Sequence, residues 1–223
     1  LSNGGLAWDP SSQTLYMLSG SNRAALYTVD VSSGEVSSVA PIFRPRLTGI
    51  AYDCTRDLIY AVDWDGGLNH IDPSTGALVG GSGGSDPAGD FGFNGLGYNH
   101  HLDILVGIRD DHPSDAWDGP GEIEGDLYSI DWHTGGGKTL LYDNPQPGFA
   151  ANGLAYDPEQ DLYWSVNQYG ELYSFDPADD FQHTLRGSDY GELQALAYAH
   201  DTPCIKLPGP ETYADTFIES NVA

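Results

Sequence analysis

Short apolar segments alternate with polar turns along most of the chain. The segments are rich in aromatic and β-branched residues, as in "LIYAV" and "LYWSV", and Gly, Pro, Asp and Ser separate one segment from the next. This pattern is typical of β-strands joined by tight turns, whereas the i, i+3, i+4 spacing of an amphipathic helix is almost absent. The sequence therefore predicts an all-β protein.

The segments belong to a repeating unit. Its first motif begins at intervals of 42 to 58 residues: "GLAWD" at Gly5, "GIAYD" at Gly49, "GLGYN" at Gly95, "GLAYD" at Gly153 and "ALAYA" at Ala195. An apolar pair follows at a fixed spacing in three units, at Leu15–Tyr16, Ile59–Tyr60 and Leu105–Val106, and one residue sooner, at Leu162–Tyr163, in the fourth. A third motif such as "ELYSFD" then ends in an Asp that precedes a turn, and a fourth apolar stretch closes the unit.

Four strands in a unit of about 45 residues are typical of a β-propeller blade. We predict one propeller domain over residues 1–207, with blades that begin near residues 5, 49, 95, 153 and 195. Two interpretations of the last unit stay open, because it is incomplete. Either the propeller has five blades and the last is degenerate, or it has four blades followed by a C-terminal tail. In both, residues 208–223 form a tail that closes the ring or donates a strand to a neighbouring molecule.

The repeated sequence motif "G-L/I-A-Y-D-P … L-Y … L-Y-x-[IVF]-D" resembles that of the NHL-like and YncE-like secreted propellers over roughly residues 5–200. The resemblance implies the architecture alone. It assigns no catalytic residue, since one fold of this kind hosts many functions.

The balance of charge excludes some partners. The chain has 33 acidic and 8 basic residues, a net charge of −25. Nucleic acids and anionic membrane surfaces are poor partners, because binding to phosphate requires Lys and Arg. No apolar run has the roughly 18 residues of a membrane span, so we expect no membrane insertion. The low Lys content, the abundance of Tyr and Gly and the even number of cysteines lead us to expect an extracellular or cell-surface protein.

The two cysteines, Cys54 and Cys204, both follow the first strand of their unit and are expected on one face of the ring. A disulfide between them is one interpretation. Against it, the second and fifth units are not adjacent in a simple five-fold ring.

Antiparallel pairing divides the loops of a blade between two faces. The loops between strands one and two are short and regular, whereas the loops between strands two and three and the blade-to-blade connections vary in length and carry most of the arginines. Binding residues favour variable loops on a rigid scaffold, and Arg and aromatic side chains suit carboxylates, sugars and protein interfaces. The alternative is that these arginines only pair with nearby acids, and Arg56 alone falls on the other face. The predicted binding residues are Arg23, Arg44, Arg46, Trp64, Arg109, Trp117, Gln168, Tyr169 and Arg186.

An acidic, glycine-containing insertion in the third unit is the candidate metal site. Asp110, Asp111, Asp115 and Asp118 supply the carboxylate oxygens that Ca²⁺ prefers, although their spacing matches no EF-hand and a solvated acidic loop is the alternative. We expect a non-catalytic binding or assembly module that contacts a protein, including other copies of itself, or a glycan. The alternative function is a glycan-processing hydrolase or lyase that uses Asp63, Asp65, Asp110 or Asp111 near the central channel, with or without calcium.

Overall fold

The computed structural model describes residues 4–19, 24–42, 47–63, 66–81, 92–109, 125–133, 137–145, 149 and 151–201. These ranges contain sixteen strands and one turn of 3₁₀ helix, at Pro177–Asp179. The strands of the first half are β1 (Leu6–Asp9), β2 (Thr14–Ser19), β3 (Ala25–Val29), β4 (Val36–Pro41), β5 (Leu47–Asp53), β6 (Leu58–Asp63), β7 (Leu68–Ile71) and β8 (Leu78–Gly81). Those of the second half are β9 (Phe93–Asn99), β10 (Ile104–Arg109), β11 (Leu127–Ile130), β12 (Lys138–Tyr142), β13 (Ala151–Asp157), β14 (Leu162–Asn167), β15 (Leu172–Asp176) and β16 (Gln182–Gly187).

The strands form four antiparallel sheets of four, and each sheet contains four consecutive strands in chain order. This arrangement confirms the predicted β-propeller, with blades β1–β4, β5–β8, β9–β12 and β13–β16. No helix in the described ranges has the length and apolar character needed to span a bilayer.

The strand register shows which residues of the repeat are equivalent. The aromatic residue of the first motif pairs with the first residue of the apolar pair: Trp8 with Leu15, Tyr52 with Ile59 and Tyr98 with Leu105. In the fourth blade Tyr156 pairs with Tyr163. The equivalent pair there is therefore Tyr163–Trp164. The prediction that the pair arrives one residue early, at Leu162–Tyr163, is wrong, because the loop before β14 has the same length as in the other blades.

The core lies between neighbouring blades. Among the described residues, one buried apolar cluster lies between the first and second blades, one between the second and third, and one between the third and fourth. Tyr16 of the first blade lies 5.8 Å from Tyr52 of the second, and Tyr60 lies 5.7 Å from Tyr98 of the third, measured between ring centroids. Fully burying an aromatic side chain of this size contributes about 1.5–3 kcal/mol. The repeated aromatic residues are thus packing residues.

The inner strands β1, β5, β9 and β13 surround the axis in that order, and each packs against the next. Between β13 and β1 lies a segment of the fifth repeat, residues 193–201, which forms no strand. Asn152 donates its side-chain amide to the Leu193 carbonyl at 2.7 Å, and the Trp8 indole N–H donates to the His200 carbonyl at 2.9 Å. The described chain fits the alternative interpretation, four blades and a C-terminal tail, and residues 193–201 lie between the inner strands of the fourth and first blades.

Carboxylate and amide side chains hold the loops between strands one and two and the turns between strands three and four. The last residue of each inner strand accepts a hydrogen bond at 2.8–3.0 Å from the backbone N–H two residues later: Asp9, Asp53, Asn99 and Asp157. The Asp that ends each third strand or directly follows it does the same for the next turn: Asp30, Asp72, Asp131 and Asp176. These loops follow the turn chemistry that their sequences predict.

Candidate functional site

Neighbouring inner strands are in close backbone contact at the waist of the central channel. The glycine that opens each repeat lies where neighbouring inner strands approach most closely. A Cβ atom on Gly49 would stand 3.0 Å from the Cα of Gly95, and one on Gly153 would stand 2.7 Å from the backbone nitrogen of Leu196. Only glycine fits at such a contact.

The channel mouth on the face of the loops between strands one and two is lined by aromatic and histidine side chains. His100 stacks on His200 with ring centroids 5.9 Å apart, and its Nε2 has no hydrogen-bond partner among the described residues. Burial, with added repulsion from His101 and His200, lowers the pKa of His100 to about 4. The described residues contain no group of three or more His, Cys, Asp or Glu arranged to hold a metal ion. The mouth is a neutral, ring-lined depression at neutral pH.

Arg56 joins the second and third blades on this same face. Its guanidinium donates to Asp53 at 2.7 Å, to both carboxylate oxygens of Asp103 at 2.8 and 2.7 Å, and to the Tyr98 hydroxyl at 2.8 Å. Its Cζ also lies 3.6 Å from the ring centroid of Trp132. These contacts reach side chains of both blades, so Arg56 is a clamp between them. Sequence reasoning placed Arg56 on the regular face but did not find this role, because Tyr98, Asp103 and Trp132 lie in the next repeat.

The opposite face, which carries the variable loops, presents two exposed tyrosines. Tyr169 and Tyr190 are 60% and 57% exposed, and they are the exposed large aromatic side chains of the described residues. Their loops are joined, because the Tyr190 N–H donates to the Gly170 carbonyl at 3.1 Å. The Asn167 side chain fixes the first loop by accepting from the backbone N–H groups of Tyr169 and Glu171 at 3.0 Å. Gln168 is exposed beside Tyr169, so this part of the predicted binding face is a rigid, aromatic surface.

Two predicted binding residues lie elsewhere than on the loop tips. Arg186 is exposed on the edge strand β16, where its Nε donates to the Ser174 hydroxyl at 2.7 Å; it belongs to the flank of the fourth blade. Arg109 ends β10, and its backbone bonds with Gly125 and Asp126 close the base of the acidic insertion. Arg186 and Arg109 therefore lie at the rim of the variable-loop face and not on its loop tips.

Asp63, a candidate channel carboxylate, is 2% exposed and accepts a hydrogen bond from the Gly67 backbone N–H at 2.8 Å. It holds the turn between β6 and β7. Several predicted residues lie outside the described ranges, and their roles stay predictions: Arg23, Arg44, Arg46, Trp64, Asp65, Asp110, Asp111, Asp115, Trp117 and Asp118.

Cys54 is buried at the channel mouth and is disulfide-bonded. Cys54 and His200 line the same depression. The separation of the second and fifth repeats along the ring therefore does not keep Cys54 away from the C-terminal segment. Cys204 lies outside the described residues, so its pairing with Cys54 stays a prediction.

Comparisons with known proteins agree with the fold. No protein-family model and no curated protein sequence matches this chain. A chain from the crystal structure of a nidogen/laminin complex is similar, with a TM-score of 0.54 and 12% identity over 88% of this chain and 84% of that one. A structural-genomics protein of unknown function from Bacteroides thetaiotaomicron VPI-5482 has a TM-score of 0.58 and 13% identity, and the match spans 88% of this chain and 54% of that protein. At these identities the likeness concerns the fold alone, and the fold is a β-propeller.

Proposed function

We propose that the protein is a secreted, non-catalytic β-propeller that acts as a binding and assembly module and contacts other proteins. The observation that carries the binding role is the tyrosine pair Tyr169 and Tyr190. Both rings are exposed on loops that hydrogen bonds hold in place. Exposed Tyr on a rigid loop offers a large contact area at a small cost in conformational entropy, which is why Tyr is enriched at binding hot spots.

The described carboxylates support a binding role rather than catalysis. Asp63 holds a turn, and the recurring Asp residues of the other turns accept backbone N–H groups. A glycosidase needs two carboxyl groups that face a common substrate. The solved complex of nidogen and laminin contains a chain of similar fold, and that complex joins two proteins.

An extracellular location is part of the proposal. A net charge of −25 keeps such a protein soluble and away from anionic surfaces, and Cys54 is disulfide-bonded, a state that persists in oxidising compartments.

A peptide-display experiment tests the binding role. A random peptide library is selected on the immobilised full chain, and the enriched peptides are measured against Tyr169→Ser/Tyr190→Ser. The matched control is Val79→Ser/Leu102→Ser, which removes two exposed apolar side chains from other surfaces. Since a hot-spot side chain is worth at least about 1–2 kcal/mol, the tyrosine variant should bind at least tenfold more weakly.

The control should bind the peptides like the wild type. Equal binding by the tyrosine variant would show that the site is elsewhere. Hydrolysis or elimination of any member of a glycan panel by the wild type would favour the enzymatic alternative, and glycan binding without turnover would change the class of ligand.

A further inference from the structure

Three histidine rings from two distant parts of the chain meet at the channel mouth. His100 and His101 belong to the loop between β9 and β10, and His200 belongs to residues 193–201. The His100 ring lies 4.5 Å from the His101 ring and 5.9 Å from the His200 ring, measured between centroids, and the His100 and His200 rings are nearly parallel at 15°. The cluster therefore joins the third blade to the segment that lies between the fourth blade and the first.

We call residues 193–201 the bridging segment. Side chains of the neighbouring blades hold it: Asn152 and Trp8 donate to its carbonyls at 2.7 and 2.9 Å, and Gln13 donates to the carboxylate of its last residue at 3.4 Å. No backbone-to-backbone hydrogen bond joins the segment to a described strand. Local release of the segment therefore costs less free energy than the opening of a blade, because no ladder of strand hydrogen bonds has to break.

The two stacked rings carry buried nitrogen atoms that lack hydrogen-bond partners. Nε2 of His100 and Nδ1 of His200 make no hydrogen bond to any described residue. A neutral imidazole has one donor and one acceptor nitrogen, whereas a protonated ring has two donors and a charge, which is far more costly to bury without partners. Protonation of either ring therefore opposes the stacked arrangement, and movement of the bridging segment away from His100 relieves it by admitting water.

The charged groups around His100 do not compensate for a proton on its ring. Burial, and then repulsion from His101 and His200, lowers the pKa of His100 to about 4, and Asp53 acts in the opposite direction. The Asp53 carboxylate is already paired with Arg56 at 2.7 Å. His100 is therefore neutral at pH 7 while the bridging segment is docked.

Three carboxylates face His200, and burial outweighs them. The pKa of His200 is lowered by burial and, to a smaller extent, by His101, whereas Glu159, Asp157 and Asp201 raise it. The Asp157 carboxylate already accepts hydrogen bonds from four N–H donors of its own blade. The other two carboxylates belong to exposed residues, where water and salt screen their charge.

The remaining titratable neighbours are two tyrosines. Tyr156 lies edge-on to His100 at 6.0 Å, and Tyr198 stacks on His200 at 6.1 Å. Burial raises the pKa of both hydroxyls, so neither supplies a negative charge. Since both histidines have lower pKa values in the docked state than in water, docking is fully stable above about pH 6.5 and is lost as the pH falls toward the docked-state values.

We propose that the bridging segment is a pH-sensitive strap, which is docked across the channel mouth at neutral pH and released when the histidine cluster binds protons. Release frees one side of the mouth, because Tyr198 and His200 of the segment line it together with Cys54 and Tyr156 of the blades. Each proton taken up on release shifts the docking equilibrium about tenfold per pH unit between the docked and undocked pKa values. The strap goes beyond the binding role proposed above and does not depend on it.

Hydrogen–deuterium exchange of the full-length protein at pH 7 and pH 5 tests the proposal, with exchange rates expressed as protection factors so that the intrinsic effect of pH is removed. The test variant is His100→Phe/His200→Phe. Phe keeps the two stacked rings but cannot bind a proton, and it loses no described hydrogen bond of either histidine side chain. The matched control is His133→Phe, because His133 is exposed on the same face and stacks on Trp132, outside the cluster.

In the wild type, the protection factors of residues 193–201 should fall at least about tenfold between pH 7 and pH 5, while those of the blade strands stay unchanged. The control should behave like the wild type. In the double variant the protection of the segment should change less than about twofold between the two pH values.

Equal protection of the wild-type segment at both pH values would overturn the proposal, and so would the same fall in the double variant. A fall shared by all strands would replace the strap by global acid unfolding. If the double variant is unprotected at both pH values, the single variants His100→Phe and His200→Phe decide. Each should show about half the pH slope of the wild type, because one of two protons is lost, and an unchanged slope in both would reject the strap.

Discussion

Replacement of Arg56 by Met tests how the second and third blades are held together. Met keeps an unbranched apolar side chain against Trp132, but it removes the guanidinium and its four hydrogen bonds to Asp53, Asp103 and Tyr98.

The expected loss can be estimated from the exposure of each partner. The Asp53 side chain is fully buried, but it keeps hydrogen bonds from the Thr55 and Tyr60 side chains, so the loss of one charged donor costs about 1–2 kcal/mol. The Asp103 side chain is 37% exposed, and water replaces part of the lost pairing, which leaves about 0.5–1 kcal/mol. Stacking on Trp132 adds about 0.5–1 kcal/mol. The total is about 2–4 kcal/mol, and for a chain of this length it corresponds to a fall in Tm of roughly 4–16 °C.

Thermal and urea denaturation of the wild type, Arg56→Met, Asp103→Asn and the double variant give the coupling energy directly. The expected value is about 1 kcal/mol of favourable coupling between the two side chains. Asn tolerates the left-handed backbone of residue 103, at φ 56°, so the Asp103→Asn variant changes the charge without adding strain. An Arg56→Met protein that melts within about 1 °C of the wild type would refute the clamp.

Three further predictions concern ring closure, pH and calcium. Gly153→Ala should destabilise the protein by about 1–3 kcal/mol, because its Cβ meets the Leu196 backbone nitrogen at 2.7 Å. Gly137→Ala should cost less in the same urea titration, because its Cβ would meet only the exposed Asp131 side chain, at 3.2 Å. Burial lowers the pKa of His100 to about 4 in the folded protein, so the unfolded state binds a proton at this residue first as the pH falls. The Tm should therefore fall as the pH drops from about 6.5 to about 4. A His100→Gln variant whose Tm falls with the same slope would contradict this. If the acidic insertion binds Ca²⁺, millimolar calcium should raise the Tm of the wild type but not of Asp110→Asn/Asp111→Asn; equal curves for both proteins would leave the insertion a solvated loop.

The repeat made the blades predictable because each unit solves the same packing problem. Three features recur along the chain. The Gly allows close contact between inner strands, the apolar pair packs against the neighbouring blade, and the Asp forms the turn to the next strand. The loop faces follow from antiparallel pairing, so the exposure of Gln168 and Tyr169 could be anticipated. The offset of the fourth apolar pair could not, because "LYW" offers two alignments and only the pairing of Tyr156 with Tyr163 selects one.

Contacts between repeats were much harder to predict. The roles of Arg56 and Trp8 depend on partners in other units, at a distance along the chain that no local pattern encodes. A weak signal exists for ring closure. In the second to fourth blades a Tyr donates a hydrogen bond to an Asp at 2.6–2.8 Å, as Tyr52 does to Asp57. The first blade has Trp8 and Gln13 at these two positions. Both of these residues bond instead to the C-terminal segment, so a departure from the repeat marks a contact outside it.

Sedimentation velocity of the full-length wild type over a wide range of concentration tests the central claim of the proposed function, that this propeller is an assembly module. The monomer mass is 23.9 kDa. We predict species heavier than the monomer, in increasing amount as the concentration rises. A single species at the monomer mass throughout that range would contradict the claim.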